Sequence, residues 1–425
     1  MSQKDQRRGL LRVAHNVSSL SLGDRTSFIA GHLLVSAAEA ASFFSSSFLD
    51  SVGISCVSPG ASARIVKVLD AIEPRAKGPG GGGIFPGFLG PAQPQGRGAT
   101  HVLAGAAVVV AGYLPRAQEA IVDMSGSCAE LSPLGATHNV VVQFVPSQDV
   151  PWDEVESALR RGSLRLAARL AEAALESPPS EETYLDAITT TKTSGLPRLG
   201  IVTNLQTQGP AKDVFLYGTS LSGSMPVFLD PNELEDGAIV SGQFGHPALR
   251  NPTYLYQNHP VVNALRTRDG RDLEFGGLIV CPEPEDVARK ELISAVAARL
   301  CASLGFDAVI VTKEGGGNAD ADVAFKMDEL ERLGIDSVGI LAEMSGQDGT
   351  GPPIVLQPTL ATALVSTGNY DEKVHLDSVE VALGGDWVNF ADAPASGELE
   401  IPIAAIVAAL SPLGWGHLRA VEATR

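Results

Sequence analysis

The sequence predicts an α/β protein, in which an N-terminal β-rich α+β domain precedes a C-terminal three-layer domain with a mostly parallel sheet. Two observations favour this fold class. The chain of 425 residues is longer than one hydrophobic core usually supports, and its apolar runs change in character between the two halves. We expect a β-rich domain at 1–150, an amphipathic helix and linker at 151–197, and an α/β domain at 198–425.

The N-terminal region contains short apolar runs separated by Gly, Pro and Ser, a pattern typical of strands. These runs predict strands at residues 33–35, 65–69, 102–103, 106–110, 120–122 and 140–145. The run at 78–88 is so rich in glycine that we expect a loop, because glycine loses more backbone freedom in a helix or strand than any other residue.

A helix is predicted between residues 152 and 176, where apolar side chains recur with helical spacing. Val155, Leu159 and Leu170 belong to this apolar face, and Glu and Arg fill the opposite face. The helix should end near Ser177, because two prolines follow it. The polar segment that continues to residue 197 is interpreted as a linker.

The second half has short, nearly continuous apolar runs, which are typical of strands buried on both faces. They predict strands at 199–204, 215–217, 277–280, 308–312, 337–341 and 363–366. Helices are predicted at 283–304, 320–333 and 401–411. The alternation of strands and helices favours a parallel sheet with right-handed crossovers, whose ligands usually bind at the carboxyl ends of the strands.

The composition excludes several classes of function. With 49 acidic and 31 basic side chains the formal net charge is -18, so nucleic acid is not an expected partner, because phosphate binding depends on Lys and Arg clusters. The longest apolar run, at 102–110, is too short to span a bilayer. The N-terminus has no signal-peptide pattern, so we expect a cytoplasmic protein without a membrane partner.

The cysteines and histidines predict no metal centre. Cys56, Cys128, Cys281 and Cys301 are scattered without CxxC spacing, so neither structural zinc nor a disulfide framework is indicated. The eight histidines show no HxH or HExxH spacing. His246, close to a distinctive polar loop, is a candidate for acid-base catalysis near neutral pH, although a lone loop histidine is more often solvated.

The predicted strand at 308–312 runs into a glycine turn that should deliver the N-terminus of a helix, whose free amides favour an anion or a carboxylate. Glu314 could act there as a general base. The candidates at this turn are Lys313 and Glu314 as catalytic residues, and Gly316, Gly317 and Asn318 as substrate-binding residues.

Carboxylates in the same turn leave two interpretations open. Glu314, Asp320 and Asp322 could hold a hard cation. Alternatively, Asn318 or Asp320 caps the following helix and Asp322 favours its positive end. The glycines match neither a phosphate-binding Walker loop nor a dinucleotide fingerprint.

Polar residues also follow three other predicted strands, so the sequence predicts one composite site at the strand ends. Glu343 and Asp348 would share the cleft with Glu314, and carboxylates held so close could raise the pKa of one of them. The substrate-binding candidates at the other strand ends are Gln206, Gln208 and Asn369.

Several motifs, in order along the chain, resemble the pyruvoyl-subunit precursor of component B of the glycine, sarcosine and betaine reductases. They are IEPRAKGPGGGGIFPGF at 72–88, LQTQGPAKDVFLYG at 205–218, DGAIVSG at 236–242, TKEGGGNADAD at 312–322 and AEMSGQDG at 342–349. The resemblance implies an oligomeric complex with a selenocysteine- or cysteine-containing partner subunit, which cleaves a carbon-nitrogen bond of a small amino acid reductively. It also implies a precursor that is cut before a cysteine to create a pyruvoyl group.

The chain departs from this resemblance at the junction Gln243-Phe244. Phenylalanine has no atom that could attack the preceding carbonyl, so we expect an uncut chain with no cofactor. One hypothesis is a pyruvoyl-free subunit that acts on a small amino acid or related carboxylate. The alternative is a noncatalytic scaffold, whose segments 78–88 and 241–252 dock a partner.

The missing nucleophile predicts a single polypeptide after purification. Intact-mass spectrometry should therefore show one chain that spans both sides of the 243–244 bond. Two fragments that end and begin at this bond would contradict the prediction.

Overall fold

The computed structural model describes residues 9–115, 117, 119–207, 212–243, 250–352, 354–361 and 363–415. The fold is α/β, with several mixed and parallel sheets, as the sequence predicts. Gln208, Phe244 and His246, three of the predicted site residues, lie outside the described residues.

The N-terminal half consists mainly of short strands around one long helix. Its strands are β1 (Gly9–Asn16), β2 (Ser19–Gly23), β3 (Ser27–Ile29), β4 (His32–Ser36), β5 (Leu49–Val57), β6 (Ala63–Ile65), β7 (Val68–Ile72), β8 (Arg75–Lys77), β9 (Gly98–Ala104), β10 (Ala106–Ala111), β11 (Val122–Asp123), β12 (His138–Pro146) and β13 (Glu181–Asp186). Its helices are α1 (Ala37–Ser42), α2 (Trp152–Glu172) and the 3-10 turns Ser127–Leu131 and Pro133–Ala136. Helix α2 has the apolar face that the sequence predicts.

The C-terminal half alternates strands and helices before it ends in short strands. Its strands are β14 (Arg198–Gln206), β15 (Lys212–Leu216), β16 (Thr219–Ser220), β17 (Val227–Leu229), β18 (Ile239–Gln243), β19 (Glu274–Glu283), β20 (Ala308–Thr312), β21 (Asp336–Glu343), β22 (Ala363–Asn369), β23 (Lys373–Leu376), β24 (Val381–Leu383), β25 (Trp387–Val388), β26 (Ala393–Pro394) and β27 (Leu399–Pro402). Its helices are α3 (Asn232–Glu235), α4 (Thr253–Gln257), α5 (Pro260–Arg268), α6 (Val287–Ser303) and α7 (Asp320–Arg332), with 3-10 turns at Gly317–Ala319 and Ile403–Ala405.

The central sheet of this half has six strands in the order β17, β19, β14, β20, β21 and β22. All neighbours are parallel except β17, which runs antiparallel to β19. Helices α6 and α7 pack against one face, where Val202, Ile279, Val311 and Met327 form part of a buried apolar cluster. The parallel arrangement brings the carboxyl ends of β19, β14, β20 and β21 to one edge.

Two sequence predictions are wrong in detail, and a strand lies within the segment interpreted as a linker. Residues 401–411 do not form a helix: β27 ends at Pro402, one 3-10 turn follows, and Ala408 has a left-handed φ of 62°. This apolar run is buried on all sides, so periodicity could not separate helix from other buried structure. The segment interpreted as linker contains β13, which pairs antiparallel with β1. The helix predicted from residue 283 begins at Val287, because Glu283 is still in β19.

The C-terminal segment returns to the N-terminal half. Strand β24 pairs in parallel with β6, and Ile406 bridges to Ile121. One apolar cluster contains residues from both halves, including Val109, Ile201 and Val407. The division into 1–150, 151–197 and 198–425 stays a prediction.

Arg64 of β6 joins this returning segment to the N-terminal half. Its guanidinium is fully buried and donates to the Asp123 carboxylate at 2.5 and 3.1 Å. It also donates to the carbonyl oxygens of Asp377, Ala395 and Gly397 at 2.7, 2.8 and 2.9 Å. One side chain therefore satisfies three backbone carbonyls of a segment with little regular structure of its own.

Replacing Arg64 should destabilise the protein strongly. Arg64→Met leaves the Asp123 carboxylate buried without its cation, which costs about 3–5 kcal/mol, so the free energy of unfolding in urea should fall by that order. The matched control is Lys373→Met, which breaks an exposed ion pair with Glu400 and should cause no comparable loss. Equal losses in the two variants would contradict the role of Arg64.

Candidate functional site

The ends of three neighbouring strands place the predicted turn next to two other polar residues. Gln206, the last residue of β14, is in register with Glu283, the last residue of β19. Strand β20 pairs with β14 up to Thr312, so Lys313 and Glu314 follow at the same edge. The structure thus brings Gln206, Lys313 and Glu314 together, in agreement with part of the predicted constellation.

Glu314 is completely buried and satisfied by protein donors. Its carboxylate accepts hydrogen bonds from the backbone N–H of Gln206 at 3.0 Å and from that of Asn251 at 3.2 Å. The Asn251 side-chain amide donates at 2.6 Å, and the Tyr256 hydroxyl donates a further bond. Burial nevertheless raises the pKa of Glu314, since these donors offset the desolvation only in part.

Glu283 lies directly beside Glu314 and is also fully buried. One of its oxygens accepts from the Glu314 backbone N–H at 3.0 Å, while Oε2 has no hydrogen-bond partner in the part of the chain that the structure describes. Burial, and next the negative charge of Asp322, raise the pKa of Glu283 well above its ordinary value. Glu283 is therefore a carboxyl group whose protonated form is favoured by its surroundings more than in an ordinary glutamate.

Lysines neutralise the other carboxylates behind the turn. Lys313 forms a buried ion pair with Asp320, and Lys290 forms one with Asp322. Lys326 Nζ lies 3.6 Å from Asp322 Oδ1. Within the described ranges no group of three or more His, Cys, Asp or Glu side chains could hold a metal ion.

Asn318 and Asp320 do not cap the helix as predicted, whereas Asp322 does lie in the first turn of α7, near its positive end. The N-cap position of α7 is occupied by Ala319, which gives no side-chain hydrogen bond. Asn318 is exposed, and its amide donates to the Glu285 carbonyl at 3.4 Å. Asp320 accepts from the Val355 N–H at 2.7 Å instead of capping the helix.

The remaining predicted residues lie around a separate, open hollow. Asp348 and Asn369 line this hollow of about 460 Å³ together with Lys373, and Glu343 is paired with Asn369 across β21 and β22. Hydrogen bonds from Thr350 lower the pKa of Asp348. The expectation that Asp348 and Glu314 perturb each other is therefore wrong: burial raises the pKa of Glu314, and Asp348 stands exposed in water.

Gly316 and Gly317 lie in the turn between Glu314 and α7, and both are partly exposed. Gly317 has a φ of 71°, so it adopts a conformation that favours glycine. A side chain at Gly315 would meet the Gln206 amide at about 3.2 Å, so this turn packs closely on β14.

Residues on both sides of the 243–244 junction form hydrogen bonds with the rest of the fold. Strand β18 ends at Gln243, opposite Lys212 of β15. On the C-terminal side of the junction, Arg250 donates to the carbonyl oxygens of Leu69 and Val68, both at 2.7 Å. Ser241, the hydroxyl nearest to position 244 on its N-terminal side, is buried in β18, where its N–H donates to the Thr253 hydroxyl at 3.0 Å.

Asp70 organises the start of α4. Its carboxylate accepts from the N–H and the hydroxyl of Thr253, both at 2.8 Å. Burial raises the pKa of Asp70 to about 6. Sequence reasoning missed this residue, which has no motif of its own.

Sequence reasoning also missed the partners of the buried carboxylates, namely Asn251, Tyr256, Glu283 and Lys290. The first two lie in the run NPTYLY at 251–256, a short distance after the 243–244 junction. The position of Glu283 at the end of a continuous apolar run was the available signal, because such positions face the ligand edge of a parallel sheet.

The fold and this edge define a class of protein: an α/β protein with a buried network of carboxyl and lysine side chains at the ends of parallel strands. The chain belongs to the family of glycine/sarcosine/betaine reductase component B subunits, whose model matches residues 10–417. It is therefore a member of a family that works in multi-subunit reductase complexes.

Characterised relatives cover nearly the whole chain. Glycine reductase complex component B subunits alpha and beta of Peptoclostridium acidaminophilum is 36% identical over 88% of this chain and 90% of the relative. The sarcosine reductase complex component B subunit alpha of the same organism is 32% identical over 92% of this chain and 95% of the relative. The betaine reductase complex component B subunit alpha is 31% identical, over 87% and 86% respectively.

No solved structure matches the chain. Among the described residues, no helix combines the length and the apolar character that crossing a membrane requires.

Replacing Glu283 should change the pH dependence of stability. Because the pKa of Glu283 is raised in the native state, Glu283 keeps its proton there at pH values at which it is already ionised in the unfolded chain, whose pKa is about 4.3. The unfolded state then binds fewer protons, so the free energy of unfolding falls as the pH rises above that value, by about 1.4 kcal/mol per pKa unit of upward shift. Glu283→Gln should remove this loss between pH 5 and 8 in urea titrations.

The matched control is Glu398→Gln, at an exposed position, which should keep the wild-type pH dependence. If Glu283→Gln shows the same slope as the wild type, Glu283 is ionised in the folded protein and the interpretation fails.

Proposed function

We propose that this chain is an uncut, pyruvoyl-free component B subunit, which binds a small amino acid or related carboxylate for reductive carbon-nitrogen cleavage by a thiol- or selenol-bearing partner. The observation that carries the proposal is Phe244, at the position where the resemblance implies a cysteine that becomes the pyruvoyl group. Without that carbonyl the chain cannot form a Schiff base with an amine. The substrate therefore need not carry a primary amine.

The cysteines of the chain support the requirement for a partner. Three thiols are buried and the fourth is half-buried. Burial raises the pKa of Cys56 and of Cys281 to about 12, and it also raises those of Cys128 and Cys301. Since the thiolate is the reactive form, this chain supplies no activated thiol, and the reducing group comes from another subunit.

The buried strand-end network limits what Glu314 can do. As an acceptor of four hydrogen bonds it holds the fold together, so Glu314→Gln is expected to lose stability as well as any activity. Glu283, whose pKa is raised well above its ordinary value and which has one oxygen without a partner among the described residues, is better suited than Glu314 to donate a proton. The hollow lined by Asp348 and Asn369 is open to solvent.

A noncatalytic scaffold remains the second candidate. The observation that favours it is the complete burial of Lys313 and Glu314, which leaves the two predicted catalytic groups saturated by internal contacts. A pure scaffold should bind no small carboxylate, so ligand binding by the isolated chain separates the two candidates.

The proposal is tested by reconstitution with the thiol- or selenol-bearing subunit, using dithiothreitol as the electron donor. Release of the amine from glycine, sarcosine and betaine is measured. We expect turnover of at least one substrate by the pair, none by this chain alone, and no inhibition by hydroxylamine, which attacks carbonyl groups. Inhibition by hydroxylamine, or absence of turnover with every substrate, would refute the proposal.

Phe244→Cys is the matched variant for the junction. It restores a nucleophile without changing the neighbouring sequence. Appearance of the two cleavage fragments in this variant alone would support the loss of the nucleophile as the reason for an uncut chain, whereas cleavage of the wild type would contradict it.

A further inference from the structure

The six-stranded sheet has one edge that no described strand covers. Strand β22 is the last strand in the order of this sheet, and it pairs only with β21. Residues 363–368 form no other backbone–backbone hydrogen bond with the part of the chain that the structure describes. The outer side of β22 therefore presents backbone N–H and C=O groups that another strand can pair with.

The connection that leads into β22 provides no helix to cover this strand. Two parallel neighbours need a crossover, which is usually a helix, but the described residues between β21 and β22 contain none. The connection runs along α7, where the N–H groups of Val355 and Leu360 donate to Asp320 and Asp328 at 2.7 and 2.8 Å. The α7 side of β22 thus lacks the helical layer that normally covers each face of a parallel sheet.

The uncovered face exposes apolar side chains of β22 and of the connection before it. A Cβ atom at Gly339 would meet Leu364 Cδ2 at 2.8 Å and Met327 Sδ at 2.9 Å, so Leu364 lies on the α7 side of the sheet. The exposed apolar side chains, which we call the β22 patch, are Val355, Leu356, Leu360 and Leu364, with exposed fractions of 73, 38, 50 and 37%. Neighbouring apolar side chains in contact with water mark an interaction surface.

The composition of this edge indicates a second copy of the same chain as the partner. Between residues 344 and 369 the only charged side chain is Asp348, although the whole chain has a formal net charge of -18. A two-fold axis brings equal surfaces together, so two acidic copies meet most favourably where charge is nearly absent. A different partner can instead complement a charged surface. Exposed edge strands are commonly protected by charged residues or proline, and β22 contains neither.

We propose that two copies of this chain pair antiparallel through β22 across a two-fold axis, so that their sheets become continuous. Pairing of all seven residues of β22 places the axis at Ser366, with Leu364 of one copy opposite Gly368 of the other. The axis is perpendicular to the sheet, so the two β22 patches lie on the same face, where their mutual burial adds to the hydrogen bonds between the strands. This inference goes beyond the proposed function and does not depend on it.

Sedimentation equilibrium of the full chain should show a monomer–dimer equilibrium. Ser366→Lys should raise the dissociation constant of the dimer by about tenfold or more, because it places two like charges directly opposite each other. Ser366→Glu should have the same effect, and an equimolar mixture of the two variants should restore the dimer. Ser51→Lys, at an exposed position of β5, is the matched control and should dimerise like wild type.

Ser366→Cys tests the register of the two strands covalently. Directly opposite residues of an antiparallel pair have Cα atoms about 4.5–5.5 Å apart, a separation that a disulfide can span. Mild oxidation should therefore link two copies of Ser366→Cys, and a reducing agent should separate them again. Wild type and Ser51→Cys, treated in the same way, should stay unlinked.

A wild-type chain that stays monomeric at every concentration tested would overturn the inference. A dimer that Ser366→Lys leaves unchanged, or a mixture of the two charged variants that stays monomeric, would overturn it as well. Absence of the disulfide in Ser366→Cys would overturn the pairing at Ser366. Circular dichroism checks the fold of each variant. If the charged variants do not fold, Leu360→Ser decides, because loss of this exposed leucine should weaken the dimer and unchanged dimerisation would contradict the proposal.

Discussion

The buried carboxylate of Glu314 is the constraint on which the ligand edge of the sheet depends. It joins the end of β20 to the end of β14 and to the segment that contains Asn251 and Tyr256. A carboxylate buried in this way needs several donors, because an unpaired buried charge would cost far more than the fold could offset. The donors come from two separate parts of the chain, the end of β14 and the segment 251–256, so neither part can move without leaving the carboxylate with too few donors.

The same kind of constraint applies to the residues that follow the 243–244 junction. Asn251 holds Glu314, Thr253 holds Asp70, and Arg250 donates to the carbonyls of Val68 and Leu69. Replacing Arg250, Asn251 or Thr253 would remove the corresponding contact, whichever residue occupies position 244. The run after the junction thus has a structural function that does not depend on the residue at position 244.

The sequence predicted the sheet better than the site. The strand at 308–312 and helix α2 followed from apolar runs and spacing, which depend on local burial. The helix predicted at 401–411 is wrong because nearly all side chains of this run are buried. No exposed polar face interrupts it, so the spacing of its apolar residues cannot distinguish a helix from other buried structure. For the site, the sequence identified Glu314 as a strand-end carboxylate, but it could not show that Asn251 and Tyr256 fill its acceptor positions, since those contacts span 63 and 58 residues. It therefore assigned to catalysis a group whose hydrogen bonds stabilise the fold.

Burial explains why the cysteines of this chain are poorly suited to supply electrons. Reductive cleavage of a carbon-nitrogen bond needs two electrons, and a thiol supplies them only as an accessible thiolate. Here Cys281 and Cys301 belong to the apolar cluster under α6 and α7, where ionisation is strongly disfavoured. Cys128 donates its S–H to the His375 carbonyl at 3.1 Å. Activating Cys281 or Cys301 would require opening the core that positions the strand ends. The burial that fixes the strand-end carboxylates thus also keeps these thiols from acting as accessible thiolates.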